Sequence, residues 1–193
     1  MGILLAQKDK DGIRELHADT FLTLERKIWL NGAIEQETAY EVINKLLALD
    51  QESHEEITMY ICSPGGAISD GLAIYDVMNA IESPVRTVAV GLVASMASII
   101  LSSGTKGRRE TLPSAKILIH DPRIMGGSGV MTTSQVIELG NDLQNTKKLT
   151  NSILAKNCGK KLKEVNEDTL DERYMSAKEA IEYGIVDRLV ERM

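Results

Sequence analysis

Apolar runs with strand character end in turns of small residues, and each turn opens onto a helix-period pattern. This alternation most limits what the chain can fold into. EITMYIC (56–62) stops at SPGG (63–66), and from Ala67 on Ile68, Leu72, Tyr75 and Met78 recur at three- and four-residue spacing. The change of hydrophobic period predicts a buried strand, a tight turn and a helix, with Pro84 closing the unit. VRTVAVG (85–91) predicts a second strand, residues 95–103 a second helix ending at Gly104, and KILIH (116–120) a third strand. Upstream, KIWL (27–30) predicts a short strand, followed by an amphipathic helix marked by Tyr40, Ile43, Leu46 and Leu47. Residues 132–157 predict a long helix. Val136, Leu139, Leu143, Leu149 and Ile153 line one side, Thr132, Thr133 or Ser134 is available as cap, and Gly159 as stop. In SAKEAIEYG (176–184), Ser176 and Glu179 form a capping box and Gly184 is the stop; IVDRLV follows as a last strand. Repeated strand–helix units without a low-complexity tract predict a single α/β domain.

At 193 residues the chain is long enough to bury a sizeable core. Its hydrophobic fraction of 43% and charged fraction of 26% are those of a soluble globular protein. A net charge of −6 argues against a nucleic-acid binder, which normally shows a basic face. The densest basic pieces, KGRR (106–109) and KNCGKKLK (156–163), have acidic neighbours and read as solvated surface. The apolar patch Ile3–Ala6 is too short for a secretory signal. The longest apolar run, Val88–Leu101, falls short of the ~20 residues a spanning helix needs. A cytoplasmic protein without membrane attachment is expected. Cys62 and Cys158 fit no metal or disulfide pattern and read as free thiols in a reduced compartment.

Three strand ends carry residues with chemical potential: SPGG after the first, Ser95 in VASM after the second, His120 at the third. Parallel strands bring their C-terminal ends to one edge, where α/β sites are built. Consecutive glycines let backbone N–H groups point outward, toward a developing oxyanion, though Gly-Gly also makes plain turns. Judged alone, Ser95 reads as packing filler. As a nucleophile at a strand-to-helix junction, it would gain from the amide of Met96. His120 ends an apolar strand, whereas His17 and His54 sit in charged surroundings and read as surface residues. A neutral imidazole suits a general base. For an orienting carboxylate, Glu167, Asp168, Asp171 and Glu172 crowd one segment, and spacing does not choose among them.

Together, YICSPGG (60–66), GLVASMASIILSSGTKGRR (91–109), LPSAKILIHDP (112–122) and ERYMSAKEAIEYGIVD (172–187) resemble the proteolytic subunits of ATP-dependent Clp proteases, over roughly residues 25–190. The resemblance implies the Clp/crotonase fold of repeated strand–strand–helix units and a serine endopeptidase that hydrolyses unfolded proteins to small peptides in protein quality control. It implies heptameric rings stacked as a tetradecamer, with the active sites inside. By position, Ser95 is the nucleophile and His120 the base. The amides of Gly66 and Met96 form the oxyanion hole, and Gly126 and Gly127 edge the substrate groove. Residues 125–157 would form the protruding handle that mates the rings, and residues 1–20 a mobile axial segment of the single domain 1–193. No cofactor or metal is implied; ATP is used by a hexameric partner unfoldase, and the chain carries no Walker-type motif.

Three departures qualify the resemblance. The family's acid position, four residues before the Ser-Ala of the SAKEA-type helix, holds Glu172; Asp171 beside it is the fallback. On the outer rim, where aromatic pockets receive the unfoldase, Tyr60 remains, but Thr58, Ala80 and Glu110 replace frequent aromatics. Shallower pockets predict weaker docking, or reliance on a second proteolytic paralogue in a mixed ring. Asp121 and Cys62 stand where Gln and Asn are frequent, and both flank the site. A catalytically weak structural subunit of a mixed ring is therefore the alternative, and a crotonase-type acyl-CoA enzyme a more distant one.

Overall fold

The structure, a computed structural model, describes residues 4–9, 12–123 and 130–190. The chain opens with β1 (Leu4–Asp9) and β2 (Gly12–His17), then α1 (Ala18–Leu24), β3 (Lys27–Asn31) and α2 (Gln36–Glu52). Next come β4 (Ile57–Ser63), α3 (Ile68–Ala80), β5 (Val85–Ala94), α4 (Met96–Ser102), β6 (Arg109–Thr111) and β7 (Lys116–Ile119). The last third contains α5 (Thr133–Cys158), α6 (Leu162–Asp168), β8 (Arg173–Ser176), α7 (Ala177–Tyr183) and β9 (Arg188–Leu189). The expected α/β class is found. Over its described residues the segment expected to be mobile, 1–20, is an antiparallel hairpin, β1 with β2, leading into α1.

The main sheet runs β3-β4-β5-β6-β9, with parallel pairing throughout. Strand β5 serves two neighbours. Its first half pairs with β6, Val88 opposite Glu110; its second half pairs with β7, Val93 opposite Ile117. The change falls at a register shift against β4, where Gly91 takes φ 65° and lets the strand bend. Strand β8 then adds antiparallel to β7, bringing Arg173 opposite Ile119. One side of each strand feeds the core: Ile28, Leu30, Met59 and Ile61 pack with Val42 and Leu46 of α2, Ile74 of α3 and Ile100 of α4, all buried.

Helix ends follow the local chemistry. Thr132 caps α5, its hydroxyl accepting from the Gln135 amide while the Gln135 side chain accepts from the Thr132 amide. Ser176 and Glu179 do the same for α7. Gly159 and Gly184 close these helices in the left-handed conformation, φ 68° and 94°.

One expectation is overturned. Arg109, read as part of a solvated basic run, is 1% exposed. Its Nε donates to Asp187 Oδ2 at 2.9 Å, and Nη1 to the carbonyls of Asn157 (2.9 Å) and Ser102 (3.2 Å). The partner lies 78 positions downstream, so no local window reveals it. The Asp187 amide also donates to the Arg109 carbonyl at 2.6 Å, so the same pairing sets β9, expected within IVDRLV, against β6, which is too short and too charged to signal itself. Across the opposite face of the sheet, buried Glu110 accepts from Arg86 Nε at 2.9 Å and Arg188 Nε at 2.8 Å.

Burial pushes the Asp187 carboxyl up, but the hydrogen bonds and charge of Arg109, with the Gly107 amide, outweigh it and hold it at about 2. Its contribution is therefore complete above the unfolded-state value of about 4 and is lost as the pH falls toward about 2. Asp187→Ala strands a buried guanidinium and is expected to cost about 3–5 kcal/mol by urea unfolding. Between pH 4 and 2, stability should fall less steeply in Asp187→Asn than in the unaltered protein; parallel curves would remove the ion pair from this role.

Candidate active site

Strand β5 ends at Ala94, and Ser95 turns the chain into α4 with φ 57° and ψ −127°. A non-glycine residue in this region costs about 1–3 kcal/mol and persists only where its surroundings over-determine it. They do so here. The Ser95 amide donates to the Leu118 carbonyl of β7 at 2.9 Å, and the Ser95 carbonyl accepts from the Ser98 amide at 2.9 Å. The Ser98 hydroxyl, fully buried, donates to the Leu118 carbonyl at 2.7 Å, with the Val93 carbonyl an alternative acceptor at 3.0 Å. In the sequence Ser98 is one residue of the helix expected over 95–103. A polar residue one turn into an apolar helix was the available signal, but its partners lie on two strands.

The Gly65–Gly66 turn packs against this corner. A Cβ on Gly65 would sit 2.7 Å from both Ser95 Cβ and the Ala94 carbonyl, and 3.0 Å from the Met96 nitrogen. One on Gly66 would sit 2.2 Å from the Ile34 carbonyl. Glycine is the residue that lets three backbone segments meet here. Ile34 clamps the turn from the far side, donating to the Gly65 carbonyl at 2.9 Å and accepting from the Ala67 amide at 2.8 Å. Among the described residues, neither the Gly66 nor the Met96 amide donates to a protein acceptor.

His120 follows the last residue of β7 and is half-buried. Its Nδ1 faces the main-chain carbonyl of Asp121. A carbonyl only accepts, so Nδ1 carries a proton, and in the neutral ring the lone pair is on Nε2. Ser95, Met96 and His120 line one narrow cavity of about 30 Å³, together with Ile68, Pro122 and Thr169. No hydrogen bond links Ser95 to His120 among the described residues. The structure thus brings serine, histidine and the Met96 end of α4 to one site, as a Ser–His nucleophile pair requires.

The acids are placed differently. Glu172 is exposed, pairs with Arg123 at 2.9 Å and accepts from the Tyr174 hydroxyl at 3.3 Å. Asp171 is also exposed. Asp168 pairs with Arg173 and accepts from the Tyr183 hydroxyl at 2.9 Å, and Glu167 faces Lys163 at 3.9 Å. Among the described residues, none of the four hydrogen-bonds His120. Gly126 and Gly127 lie outside the described residues. Both cysteines are free, and burial pushes the Cys158 thiol up to about 12, leaving it protonated at neutral pH.

Comparison with known proteins bears on this arrangement. The sequence model of the family described as Clp protease matches residues 11–193. The ATP-dependent Clp protease proteolytic subunit of Streptococcus uberis is 40% identical over 189 residues, covering 97% of this chain and 96% of its own.

The strained corner yields a prediction. Ser95→Gly relieves the backbone, so it should be more stable to denaturant than Ser95→Ala by about 1 kcal/mol or more. Equal stability of the two variants would show that the corner stores no strain. Gly65→Ala drives a methyl into Ser95 and Ala94 and should lose reactivity of the serine toward an organophosphorus probe; unchanged reactivity would refute the close approach.

Proposed function

The chain belongs to the Clp protease family, and from that premise we propose that Ser95 and His120 perform serine-type peptide-bond hydrolysis in the proteolytic subunit of an ATP-dependent Clp protease. The observation that carries this reading is the strained Ser95 corner, opening into the same cavity as His120 with two unengaged amides beside it. Ser95 Oγ attacks the peptide carbonyl while His120 Nε2 takes its proton. The amides of Gly66 and Met96 receive the oxyanion, adding hydrogen bonds where charge develops. His120 then protonates the leaving amine, and water releases the acyl group by the same route. This chemistry uses protein groups and water; ATP hydrolysis belongs to the partner unfoldase. The glycine-rich segment at Gly126 and Gly127 is assigned to the groove that holds an extended peptide by strand addition.

The acid is assigned to Glu172, with Asp171 the fallback. Glu172 is held by Arg123 and Tyr174, and His120 Nδ1 by the Asp121 carbonyl, so the proposed triad closes once the ion pair opens and Nδ1 turns from that carbonyl to the acid. The same contact favours one second reading, a catalytically weak subunit that needs a paralogue in a mixed ring to become active.

Helix α5 supports an oligomer. Across residues 133–149 most side chains are exposed and none is buried, Val136, Ile137 and Leu149 among the exposed, with Val130 and Met131 just before. A helix of 26 residues spans about 39 Å, too long to be covered by its own domain. We assign it to contacts between stacked heptameric rings. On the outer sheet face, Tyr60 packs against Trp29 at 5.2 Å between ring centroids, but the row continues through Val88 to Glu110 and Arg188. Ionic groups there support weak docking of a hydrophobic loop. Among the described residues no helix is long and apolar enough to cross a membrane. We place the protein in the cytoplasm.

A fluorophosphonate probe should label Ser95 in the pure protein, and Ser95→Ala and His120→Ala should abolish peptide cleavage. No labelling alone, but labelling once a paralogue is added, would favour the second reading; no labelling in either would remove Ser95 as nucleophile. Glu172→Ala should lower kcat on a small fluorogenic peptide by about a hundredfold or more and Asp171→Ala by less than about threefold. Full activity in Glu172→Ala would move the acid elsewhere. Stimulation by the unfoldase should not saturate at micromolar concentrations; tight saturation would refute weak docking.

A further inference from the structure

Three elements meet at one carboxylate beside the reacting pair. Asp121 follows His120 directly, and its Oδ2 pairs with Lys147 Nζ of α5 at 2.6 Å. Its Oδ1 accepts from the Thr169 hydroxyl at 2.8 Å, with the Val165 carbonyl an alternative acceptor at 2.9 Å. Its amide donates to the Thr169 carbonyl at 2.7 Å, and its own carbonyl accepts from His120 Nδ1. Thr169, itself 1% exposed, ends α6 and accepts from Asn151 Nδ2 of α5 at 3.0 Å. Every hydrogen-bonding group of Asp121 is therefore engaged. The residue ties the end of β7 to α5 and to the segment that carries Asp171 and Glu172.

We propose that Asp121 is a positioning residue for His120, held by Lys147 and Thr169 in a clasp that sets the imidazole against both Ser95 and the acid-bearing segment. The inference rests on reading Ser95 and His120 as the reacting pair. Both oxygens of Asp121 must accept, one from a hydroxyl and one from an ammonium, and a carboxylate alone does so. Asparagine either turns its NH₂ toward Lys147, donor against donor, or turns it toward Thr169, which must then give its hydroxyl proton to the Val165 carbonyl; in both cases Lys147 loses the charge that holds it. Because Lys147 and Asn151 stand on the helix that projects from the domain, movement of α5 reaches His120 through this clasp. Small displacements of a base are enough to slow proton transfer strongly.

The test uses the full-length assembled protein, a small fluorogenic peptide and a fluorophosphonate probe. Asp121→Asn and Lys147→Met are each expected to lower kcat by about tenfold or more, to change KM by less than about twofold, and to slow probe labelling in proportion. Lys147→Arg restores most of the rate. The double variant is no slower than the slower single variant, because both break one contact. Thr169→Ser retains the rate that Thr169→Val loses. Ser95→Ala runs alongside: turnover remaining in it would overturn the reading of the reacting pair itself. An inactive Ser95→Ala with undiminished kcat in Asp121→Asn and Lys147→Met would overturn the clasp alone. So would a loss of rate that merely follows loss of assembly or melting temperature and is not restored by Lys147→Arg.

Discussion

The Leu118 carbonyl accepts two hydrogen bonds, from the Ser95 amide at 2.9 Å and the Ser98 hydroxyl at 2.7 Å, and the geometry of the site hangs from it. Leu118 lies two residues before His120 on β7, and Ser95 lies at the end of β5. Pairing these strands in register, Ala94 opposite Leu118, sets serine and histidine at the mouth of one cavity. That pairing exists because β5 leaves β6 partway along and continues with β7. The bend at Gly91 and the strain at Ser95 are the local costs of a strand that serves two neighbours.

The polar groups below the surface divide into two kinds of work. Arg109 with Asp187, and Glu110 with Arg86 and Arg188, hold the short strands β6 and β9, where apolar burial is too small to do so. Such buried pairs are weak sources of net stability but strongly disfavour the arrangements that break them. Asp121, Thr169, Lys147 and Asn151 instead connect His120 to helix α5. Under the proposed assembly through α5, these contacts are the physical link between that interface and the proposed chemistry.

Much of the architecture was legible because it is local. The change of hydrophobic period at SPGG, the capping box at Ser176, a cap among Thr132, Thr133 and Ser134, and the stops at Gly159 and Gly184 act within a few residues, and the structure has each of them, with Thr132 as the cap. His120 was singled out because an apolar strand ended on it, and Ser95 because a helix began beside it. The hairpin of β1 and β2, and strands β6 and β8, were not legible. They are short, carry charged residues, and owe their conformation to partners far along the chain. Arg109 was misread for the same reason: a solvated cation and a buried one look alike until Asp187 is in place.

By itself the sequence determined the α/β class, the ends of the main elements and which serine, histidine and glycines gather at strand ends, because turn, cap and periodicity chemistry act over a few residues. Only the tertiary structure decided the partners. It set Gly65 against Ser95, gave the Nδ1 proton of His120 to a main-chain carbonyl, engaged Glu172 with Arg123, and closed Asp121 between Lys147 and Thr169. Four acids in one segment are equivalent to a reader of spacing. Their partners in the structure differ, and those depend on how strands and helices from distant parts of the chain are packed.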